Sequence, residues 1–198
     1  MVKFAQFCFY FTFHWIFQFV FRAKIAGVEN IPRSNFIIAA NHTAKIDPFL
    51  LCLLPFSVVK RITPIYFLTS EYYYRKWYLY PVLKPLGCYP VVSRAWTLDE
   101  FLGSSFSKLR DGKTIMFFPE GKIVGENPET KARPGIGYLG AKSGKMVLPL
   151  RIRWGKSFLG IKQVTLLFEQ PIFVQRGDNS TDFFRQEAQR IMDAIYSL

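Results

Sequence analysis

Short apolar runs, each about the length of a buried strand, alternate with segments that carry helix signals along residues 23–198. The strand-like runs are Asn35–Ala40, Arg61–Leu68, Thr114–Phe118, Met146–Trp154 and Val164–Phe168. The helix-like segments are Asp47–Leu54, Glu71–Leu86, Thr97–Arg110, Gly135–Lys142 and Thr181–Tyr196. Because strands that alternate with helices build layered sheets, this pattern predicts an α/β fold with a central mixed sheet flanked by helices.

Local signals predict where some of these helices begin. Thr97 and Glu100 form a capping-box pair at the start of one helix. Asp47 is predicted as the N-cap of another, with Pro48 at its first helical position. No internal repeat or low-complexity linker divides residues 23–198, so we expect them to form one domain.

The first 22 residues differ in composition from the rest. Phe4–Phe21 carries no formal charge, and Lys3 and Arg22 flank it. A helix of that length measures about 27 Å, slightly less than the roughly 30 Å hydrocarbon core of a bilayer. Polar residues interrupt the apolar run at Gln6, Thr12, His14 and Gln18.

Most of these polar residues fall within one broad sector of a helical wheel, which is a loose amphipathic pattern. Such a pattern favours a helix that lies in a membrane interface, and a spanning helix remains the second interpretation. A signal peptide is a third, although Arg22 and Lys24 stand where a cleavage site would need small residues. We therefore predict a membrane-associated helix over residues 1–22.

The charge balance predicts an anionic partner. The chain has 26 Lys and Arg residues against 14 Asp and Glu residues, a formal net charge of +12. Nucleic acid, an acidic membrane and phosphorylated small molecules all fit such a surplus, and solubilising surface charge is the plain alternative. The sequence carries no recognised nucleic-acid signature, so we expect no nucleic-acid partner.

Cysteine and histidine usage narrows the chemistry. The three cysteines, Cys8, Cys52 and Cys88, are odd in number and lack metal-type spacing. We therefore expect neither a disulfide framework nor a metal site, and a reducing cytosolic environment fits best. Only His14 and His42 can supply an imidazole, and His14 lies in the N-terminal segment, where we assign it no catalytic role.

Polar residues follow the strand-like apolar stretches at Asn41–Asp47, Ser93-Arg94 and Pro119–Gly121. In open α/β sheets, functional residues collect at the carboxyl ends of strands. On a continuous helix His42 and Asp47 would face different directions, but a strand-to-helix turn can bring the carboxylate to the imidazole. Such a pair would make His42 a general base for an incoming hydroxyl.

Four short blocks occur in order along the chain. They are the N-H-x-x-x-x-D block Asn41–Asp47, the Gly-to-Arg block Gly87–Arg94, the F-P-E-G block Phe118–Gly121 and the apolar-Pro-apolar block Val147–Leu150. In this order they resemble the 1-acylglycerol-3-phosphate acyltransferase family of glycerolipid enzymes. The resemblance covers about residues 25–154, and the first and third blocks together are its most specific part.

The resemblance implies an O-acyltransferase in which His42 is the general base and Asp47 orients it. The acceptor hydroxyl would attack an acyl thioester carried on coenzyme A or acyl carrier protein, without a metal or other cofactor. The resemblance further implies that Arg94, Glu120 and Gly121 form the acceptor site and that Pro149 shapes the wall of the acyl region. Backbone amides of the His42 turn are candidate oxyanion donors.

The chain departs from the family after the F-P-E-G block. The family often continues with a small hydroxyl residue and an Arg, whereas this chain has Lys122, Ile123 and Val124. Lys122, or Lys131 and Arg133 further on, is the candidate replacement for the missing acceptor-binding charge. Lysophosphatidic acid is the first-choice acceptor, and glycerol-3-phosphate, another lysophospholipid and a glycolipid hydroxyl stay open.

The predicted helix and the basic surface place the enzyme on an anionic membrane, at the cytoplasmic face of the plasma membrane or its equivalent. The alternative is a non-enzymatic basic module that binds RNA or a membrane. The net charge and the aromatic-basic stretch Tyr72–Tyr80 motivate that alternative.

Overall fold

A seven-stranded sheet forms the centre of the computed structural model, which describes residues 1–92, 95–125, 130–157, 160–178 and 180–197. Its strands are β1 (Phe21–Ala26), β2 (Ile37–Ala40), β3 (Ile65–Thr69), β4 (Cys88–Pro90), β5 (Thr114–Phe117), β6 (Val147–Trp154) and β7 (Lys162–Phe168). Their order across the sheet is β1-β7-β6-β2-β5-β3-β4. Neighbouring strands run parallel, except that β6 and β7 are antiparallel. The prediction of an α/β fold with a central mixed sheet is confirmed.

Helices cover both faces of this sheet. In the described residues they are α1 (Val2–Val20), α2 (Phe56–Ile62), α3 (Glu71–Tyr74), α4 (Tyr80–Leu83), α5 (Leu98–Arg110), α6 (Gly135–Ser143) and α7 (Thr181–Tyr196). Two 3₁₀ segments, Val28–Asn30 and Asp47–Leu53, lie in the connections.

Strand β2 shows how the two cores are divided. Ile38 and Ala40 join a core that includes residues of α1, the second 3₁₀ segment and α2. Ile37 and Ala39 join the other core, with residues of α5, α6 and α7. Successive side chains of a strand point to opposite faces, and both faces of β2 are covered. All four of its residues are therefore buried, and its sequence is a continuous apolar run. We call the two sides of the sheet the α1 face and the α7 face.

Helix α1 packs against the domain through polar side chains spaced four residues apart. Tyr10 donates to the Leu54 carbonyl at 3.1 Å, His14 Nδ1 to the Cys52 carbonyl at 2.7 Å and Gln18 to the Leu53 carbonyl at 3.3 Å. One turn earlier, the Gln6 amide bonds the backbone of β3 and of residue 86. Carbonyls at the end of a 3₁₀ segment lack partners within it, so these side chains complete its hydrogen bonding.

The polar sector of α1 therefore faces the protein, and aromatic side chains face outward. Phe4, Phe11, Trp15 and Phe19 are exposed, the last at 84% of its surface. None of the helices in the described residues is both long and apolar enough to cross a bilayer.

Several element boundaries differ from the predicted ones. The helix ends at Val20, and Phe21 begins β1, an edge strand whose alternating burial was not recognised in the sequence. The predicted helix over residues 71–86 is two short helices, α3 and α4, and Arg61 belongs to α2 rather than to a strand. Asp47 is not an N-cap, because Ile46 holds that position and the Asp47 carboxylate bonds backward along the chain.

Candidate active site

Asn41 anchors the turn that follows β2. Its side-chain amide donates to the Ile152 carbonyl at 2.9 Å and accepts from the Ile152 N–H at 2.7 Å. The amide group thus replaces a peptide group in the ladder between β2 and β6, and the residue is fully buried. The backbone that leads into His42 is held at a defined position as a result.

The structure brings His42 and Asp47 together across the turn that follows β2, as the sequence analysis allowed. His42 Nδ1 lies 2.9 Å from Asp47 Oδ2, and the Asp47 side chain has no exposed surface. A carboxylate on Nδ1 selects the tautomer that carries its proton there, which leaves Nε2 as the basic nitrogen. The His42 side chain keeps 18% of its surface exposed, so the imidazole remains reachable.

The Asp47 carboxylate also organises the turn. It accepts hydrogen bonds from the Thr43 N–H at 2.6 Å, the Thr43 hydroxyl at 2.9 Å and the Ala44 N–H at 2.8 Å. Trp154 Nε1 in turn donates to the Thr43 hydroxyl at 2.7 Å. Hydrogen bonds from several donors offset the cost of burying a carboxylate, and they hold it in place against the imidazole.

The other side of the imidazole rests on Phe118. The two rings are stacked, with centroids 4.0 Å apart and an angle of 17° between their planes. Phe118 packs against the core of the α1 face. The aromatic contact and the Asp47 hydrogen bond together restrict the rotation of the imidazole.

Glu120 lies beneath the turn and is 2% exposed. Its Oε2 accepts the backbone N–H of His42 at 3.1 Å, and its Oε1 accepts the Tyr196 hydroxyl at 3.2 Å. Burial raises the pKa of the Glu120 carboxyl, and hydrogen bonds from its own backbone N–H, the His42 N–H and the Tyr196 hydroxyl offset part of that rise. Both carboxylate oxygens bond to the protein itself, and contact between Glu120 and an acceptor stays a prediction.

Three of the candidate oxyanion donors in the His42 turn already have partners. The backbone N–H groups of His42, Thr43 and Ala44 all donate to the carboxylates of Glu120 or Asp47. A developing oxyanion needs donors that are free to face it. These three amides hold the turn in shape instead.

The three residues after Glu120 are exposed. Gly121 has a φ of +66°, and a Cβ placed there would come within 2.8 Å of Arg133 Cδ. The Arg133 N–H donates to the Pro119 carbonyl at 2.9 Å, so the arginine lies across the F-P-E-G loop. Lys122 and Arg133 are both exposed. The structure therefore places two cations beside the loop where the family pattern has its arginine.

Two predicted site residues stand apart from this group. Pro149 is buried in β6 opposite Ala39, and strand alternation places it on the α7 face with Val147. Arg94, with Ser93, lies outside the described residues.

An apolar cavity of about 60 Å³ lies on the α1 face. Its walls come from α1, the second 3₁₀ segment, α2 and β3, and they include Pro48 and Phe49, which directly follow Asp47 in the chain. Pro149 does not line it. The apolar space next to the His42 turn is thus built by α1 and its neighbours.

Sequence reasoning missed two polar residues of the site, Tyr196 and Arg151. Tyr196 stands near the end of α7, and Arg151 is a buried residue of β6 whose guanidinium lies 4.1 Å from the Tyr196 ring centroid. Neither residue belongs to a recognisable block. Only the packing of α7 against the sheet brings them to Glu120.

Comparison with known proteins decides the family. The family model described as acyltransferase matches residues 22–153, a range that contains His42, Asp47 and Glu120. The chain belongs to the acyltransferase family. A solved structure with a similar fold is that of the 1-acyl-sn-glycerophosphate (LPA) acyltransferase PlsC from Thermotoga maritima. The TM-score is 0.66 at 22% sequence identity, and the match covers 99% of this chain and 77% of that one.

The matched range locates the acyltransferase features within the fold. It begins in β1 and ends in β6, so it includes the strands that carry the His42 turn and the F-P-E-G loop. Helix α1 precedes it, and β7 and α7 follow it. The chain is therefore an acyltransferase in which elements outside the family region, α1 before it and β7 and α7 after it, pack onto the same sheet.

Proposed function

We propose that this acyltransferase transfers a fatty acyl group from an acyl thioester to the hydroxyl of a lysophospholipid at a membrane surface. The observation that carries the proposal is the His42–Asp47 pair, at 2.9 Å. The apolar cavity is lined by Pro48 and Phe49, which follow Asp47 in the chain, and the exposed Lys122 and Arg133 lie at the F-P-E-G loop. The donor would be acyl-coenzyme A or acyl carrier protein.

The proposed reaction transfers the acyl group directly to the acceptor, without an acyl-enzyme, by addition to the thioester carbonyl and elimination of the thiol. His42 Nε2 takes the proton from the acceptor hydroxyl as the oxygen attacks the thioester carbonyl carbon. Asp47 stabilises the imidazolium that forms. When the tetrahedral intermediate collapses, the carbon–sulfur bond breaks, the thiolate leaves and the imidazolium returns the proton to sulfur. The products are the new ester and a free thiol.

Lysophosphatidic acid is the acceptor that we propose first. Arg133 and Lys122 stand beside Gly121, where guanidinium and ammonium groups could pair with a phosphate. PlsC from Thermotoga maritima, which has a similar fold, is named as an acyltransferase for this acceptor. Glycerol-3-phosphate, other lysophospholipids and glycolipids remain the alternative acceptors.

Two features support a site of action on an anionic membrane. Aromatic side chains of α1 point away from the domain, and a second exposed aromatic group near α3 and α4 includes Tyr72, Trp77 and Tyr78. Lys76 Nζ lies 4.5 Å from the Tyr72 ring centroid, which joins a basic group to this aromatic surface. Aromatic and basic residues together suit the interface of an anionic bilayer, here proposed to be the cytoplasmic face.

The test is acyl transfer from a labelled acyl thioester to lysophosphatidic acid in lipid vesicles, with wild type beside His42→Ala. We expect His42→Ala to lower kcat by about 10²–10⁴-fold, because a general base contributes that much. His14→Gln is the matched control, since it changes the other histidine and keeps a donor for the Cys52 carbonyl. Full activity of His42→Ala would disprove the role of His42.

A parallel series on wild type compares acceptors with and without a phosphate. A preference of about tenfold or more in kcat/KM for phosphorylated acceptors is expected if cations bind the phosphate. Equal use of a monoacylglycerol would show that the acceptor site does not recognise phosphate.

A further inference from the structure

A largely buried polar group beneath the His42 turn lies partly outside the region that matches the acyltransferase family. It consists of Glu120, Tyr196 and Arg151, of which Tyr196 belongs to α7, beyond residue 153. Glu120 and Arg151 are 2% and 7% exposed, and Tyr196 is partly buried. Polar groups buried to this extent lower stability unless they are well paired, so their presence calls for a physical reason.

The contacts connect Tyr196 to His42 through one carboxylate. The Tyr196 hydroxyl donates to Glu120 Oε1 at 3.2 Å, and Glu120 Oε2 accepts the His42 N–H at 3.1 Å. The two oxygens of a carboxylate move as one rigid unit. Fixing Oε1 therefore fixes the direction in which Oε2 meets the His42 backbone.

Arg151 holds the tyrosine from the other side. Its guanidinium carbon lies 4.1 Å from the Tyr196 ring centroid, within the range of a cation–π contact. Among the described residues, Arg151 Nε and Nη1 have no hydrogen-bond partner. A cation left incompletely paired in the interior costs stability, and the contact with the Tyr196 ring supplies part of the compensating interaction. The same contact restrains the position of that ring.

The imidazole of His42 is thus positioned from two directions. Asp47 and Phe118 restrain the ring, and Glu120 restrains the backbone from which the ring extends. Catalysis by a general base depends strongly on position, and an error of about 1 Å can cost about 100-fold in rate. Contacts that fix the backbone of His42 therefore affect the rate of the proposed reaction.

We propose that Tyr196 is a positioning residue of this acyltransferase, which orients Glu120 so that its carboxylate holds the His42 backbone in the reactive geometry. Arg151 supports Tyr196 through its ring. The proposal rests on His42 as the base of the proposed function. It assigns to α7 a part in catalysis through the Tyr196 hydroxyl, without contact between Tyr196 and the substrate.

The first test is Tyr196→Phe, which removes one oxygen and keeps the ring against Arg151. We expect kcat to fall about 5- to 10-fold, with KM for donor and acceptor unchanged within about twofold. Tyr89→Phe is the matched control. The Tyr89 hydroxyl likewise bonds one side chain, that of Ser105 at 2.9 Å, and it is more deeply buried than that of Tyr196. Tyr89 belongs to β4, three strands away from β2.

Because its hydroxyl is the more deeply buried of the two, Tyr89→Phe should lose at least as much stability and yet keep its kcat. An equal fall in kcat in both variants would overturn the proposal, because it would reflect a general loss of stability. A rise in KM for the acceptor with unchanged kcat would also overturn it, since Tyr196 would then bind substrate.

A double-mutant cycle with Glu120→Gln tests whether Tyr196 acts through Glu120. The loss caused by Tyr196→Phe should shrink to less than about twofold in the Glu120→Gln background, because the link is already weakened. The same loss in both backgrounds would contradict the proposed route.

Amide hydrogen exchange at His42 needs no substrate and separates this proposal from the proposed function. We expect Tyr196→Phe to speed exchange of the His42 amide about fivefold or more, and Tyr89→Phe to leave it unchanged. Unchanged exchange at His42 in Tyr196→Phe would disprove the positioning link even in an enzyme without measurable transfer. Absence of transfer by wild type, with altered exchange, would disprove only the proposed reaction.

Discussion

Asp47 and Glu120 are both buried carboxylates, and their surroundings differ. In the described part of the chain, Asp47 accepts hydrogen bonds from His42, from the Thr43 N–H and hydroxyl, and from the Ala44 N–H. Glu120 accepts from the His42 N–H and from the Tyr196 hydroxyl. For Glu120 the loss of hydration outweighs these donors, so the pKa of its carboxyl is raised above the ordinary 4.5.

This rise predicts a pH dependence of stability. The folded protein binds the Glu120 proton more tightly than the unfolded chain does, so the free energy of unfolding falls as pH rises from 4.5 through the raised pKa. Glu120→Gln cannot ionise and should lack this decline. The measurement is urea unfolding of wild type and variant from about pH 4 to about pH 8, with the exposed Glu29→Gln as control.

The unfolding free energy of Glu120→Gln minus that of wild type should therefore increase as pH rises. A difference that stays constant across this range would show that burial does not penalise the Glu120 carboxylate. A shift of the opposite sign would mean that its partners stabilise the charge more than burial opposes it.

At the scale of elements, α1 combines two surfaces with different tasks. The side chains of Gln6, His14 and Gln18 bond backbone groups of the domain, and Phe9 and Tyr10 line the apolar cavity. Trp15 and Phe19 face outward. The helix is therefore a wall of the site on one side and a candidate membrane contact on the other.

Replacing the outward residues should affect membrane binding and not folding. We expect Trp15→Ser with Phe19→Ser to lower partition into vesicles by roughly 100-fold or more, because each large apolar side chain contributes about 1.5–3 kcal/mol on burial. The unfolding midpoint in detergent should change little. Vesicle sedimentation measures the first quantity and thermal unfolding the second.

The control for this pair is Phe173→Ser. Phe173 is 52% exposed and follows Ile172, which pairs with Val147 at the first residue of β6. Its replacement should leave vesicle binding unchanged. Equal binding by the Trp15/Phe19 variant and wild type would show that α1 is not the membrane contact.

At the scale of the whole molecule, the net charge of +12 adds a long-range term to membrane binding. We expect binding to vesicles with an anionic phospholipid to weaken at least tenfold from about 0.1 M to about 1 M salt, as the screening length falls from about 10 Å to about 3 Å. Binding to neutral vesicles should be weaker and nearly independent of salt. Salt-independent binding to anionic vesicles would contradict an electrostatic contribution.

Much of the architecture and one part of the site could be predicted from the sequence. Local sequence patterns mark several elements, through apolar periodicity and capping residues that span only a few positions. These elements are the strands β2, β5, β6 and β7 and the helices α5, α6 and α7. The approach of Asp47 to His42 was also predictable, because only a short turn separates them. Signals of this kind are local, so they can be recognised without knowledge of the tertiary fold.

The remaining features depend on contacts between distant residues. The side of α1 that meets the domain is set by carbonyls of residues 52–54, and the sequence pattern of α1 fits either orientation. Likewise, 76 positions separate Tyr196 from Glu120, and no local pattern marks that pair. The sequence by itself determined the layered fold and the His42–Asp47 turn, whereas tertiary packing decided what surrounds them, because burial and pairing arise only when distant segments meet.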